Sequence, residues 1–403
     1  MTIVARALLL LGAAPCAALV LHCSSFSEGS SSETTVDAAQ EATTEVEAAA
    51  PLPPDAAVEQ DGGCRPPAAP TNLCFVKGGP GCTLAAVNFG NLQPSSPLSN
   101  PLAYPHHPVR WGNHIFVAVQ DNTVAGRNAG GPGYIVRVDV PSMSNPTIVT
   151  DLLQQPAALA VNERYLYWRT VTGSESRIER IDLTAATALP CSPNTCGRET
   201  VASVAGAKVE EIFPRSPHEV YFRFGASTLY RVTRAAGGWE TAAPILTGTA
   251  PSAIAGSFWA TQSAETKTTY LYDLLPTEPA VISSWANAGT RWLASACGEA
   301  YLYESESDRP FSRVVFAKDG VDGGLSSLPC KGCNKALVFG ASVDTQFVYV
   351  AAPNAGYLRA IPRSGGDAVT LTTGDVWDVI NDDDAVYFTT MGTPAYLGRI
   401  SKR

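Results

Sequence analysis

Four pairs of residues set a charge beside an indole or beside a second charge: Arg110-Trp111, Arg291-Trp292, Trp377-Asp378 and Glu210-Glu211. Such pairs suit recognition better than bond breaking. Tryptophan and arginine dominate binding hot spots, and an acid opposite an arginine fixes a ligand's orientation. The competing reading is that the indoles fill a core and the charges pair locally, because buried aromatics are the usual filling of sheets. Residue types that would carry catalysis are sparse. Of five histidines, His22 lies in an apolar N-terminal run. His106 and His107 sit in Tyr104-Pro-His-His-Pro108, which reads as a loop between prolines, and His114 and His218 fall in or near turns. Zinc or copper needs convergent ligands, so no metal site is expected. No nucleophile elbow, phosphate loop, His-Glu-x-x-His or dinucleotide fingerprint occurs, and no cofactor is expected. Asp382-Asp383-Asp384 aligns with Asn162-Glu163-Arg164 as a hairpin turn, whereas a calcium cage draws at least six oxygens from several directions.

Ten cysteines carry the remaining chemistry. Setting aside Cys16 and Cys23 leaves Cys64, Cys74, Cys82, Cys191, Cys196, Cys297, Cys330 and Cys333. An even count in an exported chain points to four disulfides, whose connectivity the sequence does not fix. Cys191-Ser-Pro-Asn-Thr-Cys196 and Cys330-Lys-Gly-Cys333 both follow Leu-Pro and look like two copies of one stapled loop, so the other four would pair among themselves. A redox pair at 330 and 333 would open a helix, yet Ala336-Leu-Val-Phe-Gly-Ala341 reads as a strand. A zinc ribbon would need a second pair about 15–20 residues away.

The chain has 403 residues and a net charge of −9, which argues against a nucleic-acid partner. The acidity is local, since residues 24–62 hold nine acids and no Lys or Arg. Before them, Arg6 precedes the uncharged, mostly apolar Ala7 to Leu21. This run is shorter than the roughly 20 residues of a spanning helix and reads as a signal peptide over 1–22. Cys23 followed by serines resembles the bacterial lipoprotein signal, which implies lipidation of Cys23. His22 departs from the small residue favoured there, and Val20 stands in for Leu. Residues 23–62 read as an acidic disordered tether, too poor in apolar groups to offset the entropy of ordering. Residues 63–103 read as a cysteine-containing lead-in.

From 104 to 403 one pattern recurs. A short apolar strand meets a polar turn and then an aromatic-ending strand, as in Pro156-Ala-Ala-Leu-Ala-Val161, Asn162-Glu-Arg164, Tyr165-Leu-Tyr-Trp168. A third strand with a Leu/Ile-x-x-Ile/Val/Leu core follows, and a fourth precedes the next unit. The anchors Phe116, Tyr167, Tyr221, Phe258, Tyr303, Tyr349 and Tyr387 recur about every 45 residues, the period of a four-stranded blade. The fold expected is all-β: a single β-propeller of four-stranded antiparallel blades, seven by the anchors and six if the unit at Phe258 is not separate. The last unit ends after its third strand, so Thr83 to Phe89 is the candidate for the closing strand, which removes the sheet edges.

Leu166-Tyr-Trp-Arg-Thr170, Val386-Tyr-Phe-Thr-Thr390 and the arginine-bearing third strands resemble YWTD-type and NHL-like propeller repeats, as found in bacterial exported lipoproteins. The likeness covers residues 104–403. No copy has the full Tyr-Trp-Thr-Asp, and the Asp is missing everywhere. Propellers host many unrelated activities, so the resemblance speaks to fold more than function.

The repeat places the opening pairs at first-strand starts, which line a propeller's channel. Arg110, Trp111, Glu211, Arg291, Trp292, Trp377 and Asp378 would then meet at its mouth, while third-strand arginines such as Arg180 and Arg231 diverge toward the rim. The function expected is a non-catalytic binding or scaffold module anchored at the cell envelope, at the outer membrane if Ser24 acts as in similar lipoproteins. The partner would be a protein or glycan, membrane contact would run only through the lipid, and the chain would be a monomer. The alternatives are plain secretion and a secreted lyase or lactonase with its site at the channel mouth.

Overall fold

The computed structural model describes residues 68–71, 84–89, 92, 103–121, 131–140, 142–185, 197–263, 265–286, 290–296, 299–304, 311–315, 325–328, 330–331, 338–391 and 394–403. The signal peptide, Cys23, the tether and Cys64, Cys74, Cys82, Cys191, Cys196, Cys297 and Cys333 lie outside them. Cys330 is described only as backbone, in a short strand that pairs with Gly366–Asp367.

Among the described residues the chain winds into a single β-propeller of antiparallel sheets. Six sheets are built from strands that follow one another in the chain. Their inner strands are Ala103–Trp111, Ala157–Val161, Val209–Ser216, Thr249–Ala255, Thr290–Ala296 and Gly340–Val343. One further sheet is composite: Val376–Asn381, Ala385–Thr390 and Tyr396–Ser401 are completed by Leu84–Asn88 from the other end of the chain. There Leu84 pairs with Ile400 and Asn88 with Tyr396. Each inner strand lies against the inner strands of its two neighbours, and Ala103–Trp111 meets Val376–Asn381 to close the ring. We call the sheets first to sixth in chain order, and the composite one the closing sheet.

The i, i+3 spacing of the third strands has a direct explanation. Side chains three apart on a strand face opposite ways, and a blade is covered on both faces. Ile178 packs in the cluster between the second and third sheets, with Val209 and Phe222. Ile181 packs on the other face, with Phe116 and Leu159. Leu358 and Ile361 divide in the same way between two clusters, as do Leu397 and Ile400. Full burial of each such side chain is worth roughly 1.5–3 kcal/mol, so the core is a ring of interblade layers around an axis.

Three of the polar turns between inner and second strands share one geometry. Asn162 Oδ1 accepts from the N–H groups of Arg164 and Tyr165 at 3.0 and 2.8 Å. Asp344 Oδ1 does so for Gln346 and Phe347 at 2.8 and 2.7 Å, and Asp382 Oδ1 for Asp384 and Ala385 at 2.6 and 2.8 Å. Each short side chain replaces a backbone acceptor and closes the turn.

Candidate functional site at the propeller axis

The inner strands carry the site, and their irregularity shapes it. Register shifts interrupt the pairing between His106 and Val109, Ala157 and Ala160, Val209 and Glu211, Thr249 and Ala253, Thr290 and Trp292, and Val376 and Val379. A bulge leaves its extra residue out of the ladder and re-aims its side chain. His107, Glu210, Arg291 and Asp378 fall within these bulges. His107 sits there at φ 49 and Ala158 at φ 50, a left-handed conformation uncommon for non-glycine residues.

His106 and His107 therefore belong to a strand and not to a loop. Their flanking prolines are tolerated because the strand is the edge of its sheet and Pro108 falls in the bulge, where no ladder donor is needed. His106 is 4% exposed and stacks on Tyr104 at 4.8 Å, and the His107 ring meets its edge at 4.9 Å. The His107 backbone N–H donates to Asp378 Oδ2 of the closing sheet at 3.0 Å. In the second sheet Arg169 donates from Nη1 to the Val209 carbonyl at 2.9 Å, and the same nitrogen lies 3.9 Å from Glu210. In the third, Glu211 takes Arg223 Nε at 2.8 Å and Nη2 at 3.1 Å. It also receives the Ile254 N–H of the fourth sheet at 2.5 Å. Carboxylates and guanidiniums thus stitch neighbouring inner strands together.

The electrostatics follow from burial. It holds His106 well below the ordinary imidazole value, helped by His107 and Arg169. Burial first, then Arg169 and Arg223, lower His107 to about 4. Both rings are neutral at pH 7. Burial lifts the Asp378 carboxyl to about 6, against the opposing His107 hydrogen bond. Two polar atoms of these residues are buried without a hydrogen-bond partner among the described residues: His106 Nε2 and Arg169 Nε. No group of three or more His, Cys, Asp or Glu among the described residues is arranged to hold a metal ion.

The residues singled out in the sequence divide. Glu211 and Asp378 lie at the axis, and Glu210 stands beside them. Trp377 is buried between blades, against Phe339 at 4.6 Å and Tyr104 at 5.3 Å. Arg291 and Trp292 fall at the bulge of the fifth inner strand, with only their backbone described. Arg110 and Trp111 are at the opposite end of their strand, beside the hairpin at Gly112. The strand begins at Ala103, so a start placed at Arg110 was displaced by the prolines. Arg110 pairs with Asp382 in the closing sheet's turn. Trp111 Nε1 donates to the Glu163 carbonyl at 2.9 Å and lines a shallow cleft of about 110 Å³ with His114, Phe116, Arg137 and Ile181.

Of the two third-strand arginines expected at the rim, Arg180 is not there. Arg180 is 1% exposed and lies over the rings of Tyr165 at 4.0 Å and Trp239 at 4.7 Å. It donates to the Pro217 carbonyl at 2.6 Å and pairs with Glu199 at 2.7 Å. It clamps two blades and does not point to the rim. Missed in the sequence were His106, His107, Arg169 and Arg223. A signal existed for the arginines: Arg169 follows the buried run Leu166-Tyr-Trp168, and Arg223 interrupts Phe222 and Phe224. Both pair with an inner strand at its bulge, Arg169 with Ala157 and Arg223 with Glu211.

Sheets radiating from a shared axis, with polar groups gathered at one end of their inner strands, define a β-propeller. The chain is similar in fold to the β-propeller domain of Cps50 (Swd1) from Myceliophteria thermophila, at 12% identity and a TM-score of 0.51, covering 72% of this chain and 98% of that one. It also aligns with the computationally designed Ika8 protein, at 10% identity and a TM-score of 0.47, over 75% and 98% of the two chains. BamB from Moraxella catarrhalis aligns at 8% identity and a TM-score of 0.43, over 74% and 99%. No family model matches the chain, and no curated protein does.

Proposed function

We propose that this propeller is a non-catalytic binding module that takes its ligand at the axial mouth, and that it is exported and held at the cell envelope through Cys23. The observation that carries the reading is the pair of buried, unpartnered polar atoms at the axis, His106 Nε2 and Arg169 Nε. Leaving such a group unpaired costs about 1–3 kcal/mol, a cost that a ligand supplying the missing partner removes. Capture from an envelope extract tests it. Arg169→Gln and Asp378→Asn should lose the captured partner, and Arg164→Ala, an exposed turn residue paired with Asp182, should keep it. Capture that is equal in all three sinks the axial reading.

The aromatic second strands and the Asx-type turns support the likeness to YWTD and NHL-like repeats. The run Ala7 to Leu21 before Cys23 supports export and lipidation; Cys23→Ala should move the protein from the membrane to the soluble fraction. The spacing Cys330-Lys-Gly-Cys333, after Leu-Pro as at Cys191, supports a disulfide between Cys330 and Cys333. Non-reduced peptide mapping should recover that link.

A further inference from the structure

We propose that the axial mouth takes a carboxylate group, paired with Arg169 and bonded by the His106 imidazole. The proposal deepens the binding reading above and rests on it.

An inventory of donors and acceptors points to the ligand's chemistry. Two carboxylates at the axis are engaged: Asp378 Oδ2 holds the His107 N–H, and Glu211 holds two nitrogens of Arg223 and the Ile254 N–H. What is left over is on the donor side. Arg169 spends Nη1 on a backbone carbonyl, while its Nε has no partner among the described residues. Its one facing carboxylate, Glu210, is 3.9 Å away and 42% exposed. A guanidinium only donates and is always charged, so the group that completes it is an acceptor, best an anion. A planar carboxylate matches the guanidinium fork, and His106 Nε2 can supply a further donor.

Proton uptake follows from the groups facing the two rings. These are Arg169 and Arg223 from the second strands, Asp378 from the closing sheet, and Glu210 and Glu211 from the third. Without ligand, burial first and then the neighbouring arginines keep both imidazoles neutral. A negative charge beside Arg169 offsets that residue's share and raises the proton affinity of His106 and His107. Both rings act in one direction, so binding tightens as pH falls.

Calorimetric titration of the full chain with succinate, in two buffers of different ionisation enthalpy, reads the effect. Saturable binding is expected at pH 6, with net proton uptake and a Kd that falls by up to about tenfold per pH unit for each linked proton. Arg169→Gln should weaken binding more than tenfold, and Arg164→Ala should not change it. If Arg169→Gln fails to fold, Arg169→Lys keeps the charge but loses the fork, and should weaken binding several-fold. Neutral succinamide should not bind. Succinamide binding as tightly as succinate, succinate failing to saturate, or a Kd indifferent to pH would each overturn the proposal. If extract capture depends on Arg169 and succinate does not bind, the carboxylate inference alone falls. Capture indifferent to Arg169 removes the axial site and this inference with it.

Discussion

Lys402 and Asp344 show how much a single ion pair can carry in this molecule. Both side chains are 0% exposed, with Nζ 2.8 Å from Asp344 Oδ2, and the Tyr349 hydroxyl donates to the same carboxylate oxygen. Lys402 Nζ also donates to the Ala68 carbonyl at 3.1 Å. Burial lowers the lysine's proton affinity, and Asp344 opposes that. Removing one partner strands a charge in the interior, so Lys402→Met should cost about 3–5 kcal/mol in urea unfolding. The double variant Lys402→Met/Asp344→Asn should recover much of that loss, because no charge is then left unpaired and the Asx turn keeps its Oδ1. None of this was legible in the sequence, where Lys402 is a terminal lysine and Asp344 a turn residue. The pairing exists only because the closing sheet packs against the sixth and sets the strand Tyr396–Ser401 beside the Asp344 turn.

Among the elements, two inner strands approach closely at Gly340. A Cβ there would lie 2.7 Å from the Asp378 Cα, 2.8 Å from the Trp377 carbonyl and 2.9 Å from the Val379 nitrogen. These are backbone atoms with no rotamer to yield. Gly340→Ala should therefore destabilise by about 1–3 kcal/mol. It should also shift the amide resonance of His107, whose partner Asp378 must move. An unchanged His107 signal would show that the closing sheet absorbs the strain elsewhere. Elements were the most readable level of the sequence. The anchors Phe116, Tyr167 and Tyr387 lie on second strands, and the Leu/Ile-x-x-Ile cores lie on third strands, because a blade covered on both faces must be apolar at both parities. Inner strands were less legible: their bulges break period-2 alternation, and Tyr104-Pro-His-His-Pro108 reads as a loop to any rule that treats proline as a strand breaker.

At the scale of the whole molecule, the buried histidines set a pH dependence. The folded value of His107 is about 4, against 6.5 when free, so the unfolded chain binds more protons between those values. Stability is full above pH 6.5 and is lost as pH falls toward 4; His106 acts in the same sense. Asp378, raised from 3.8 to about 6, acts oppositely, favouring the folded state as pH falls through 6. Two rings against one carboxyl leave a net loss on acidification. Thermal unfolding from pH 7 to 4 should show it, with a shallower decline in His107→Asn. A slope unchanged in that variant would mean that the ring does not titrate in the unfolded chain alone.

The propeller also has a front and a back. The chain joins it where the Ala68 N–H donates to Asp383 Oδ1 at 2.6 Å and the Thr71 N–H donates to the Lys402 carbonyl at 2.6 Å. That is the side of the Asp382 turn and of the Gly112 hairpin. His107 and Asp378 lie toward the other end of the same inner strands. Ala68 and Thr71 are thus bonded at one end of the inner strands, and the receiving groups sit toward the other. A bulky label attached at Thr71 should leave succinate uptake unchanged, whereas one attached beside Glu210 should block it.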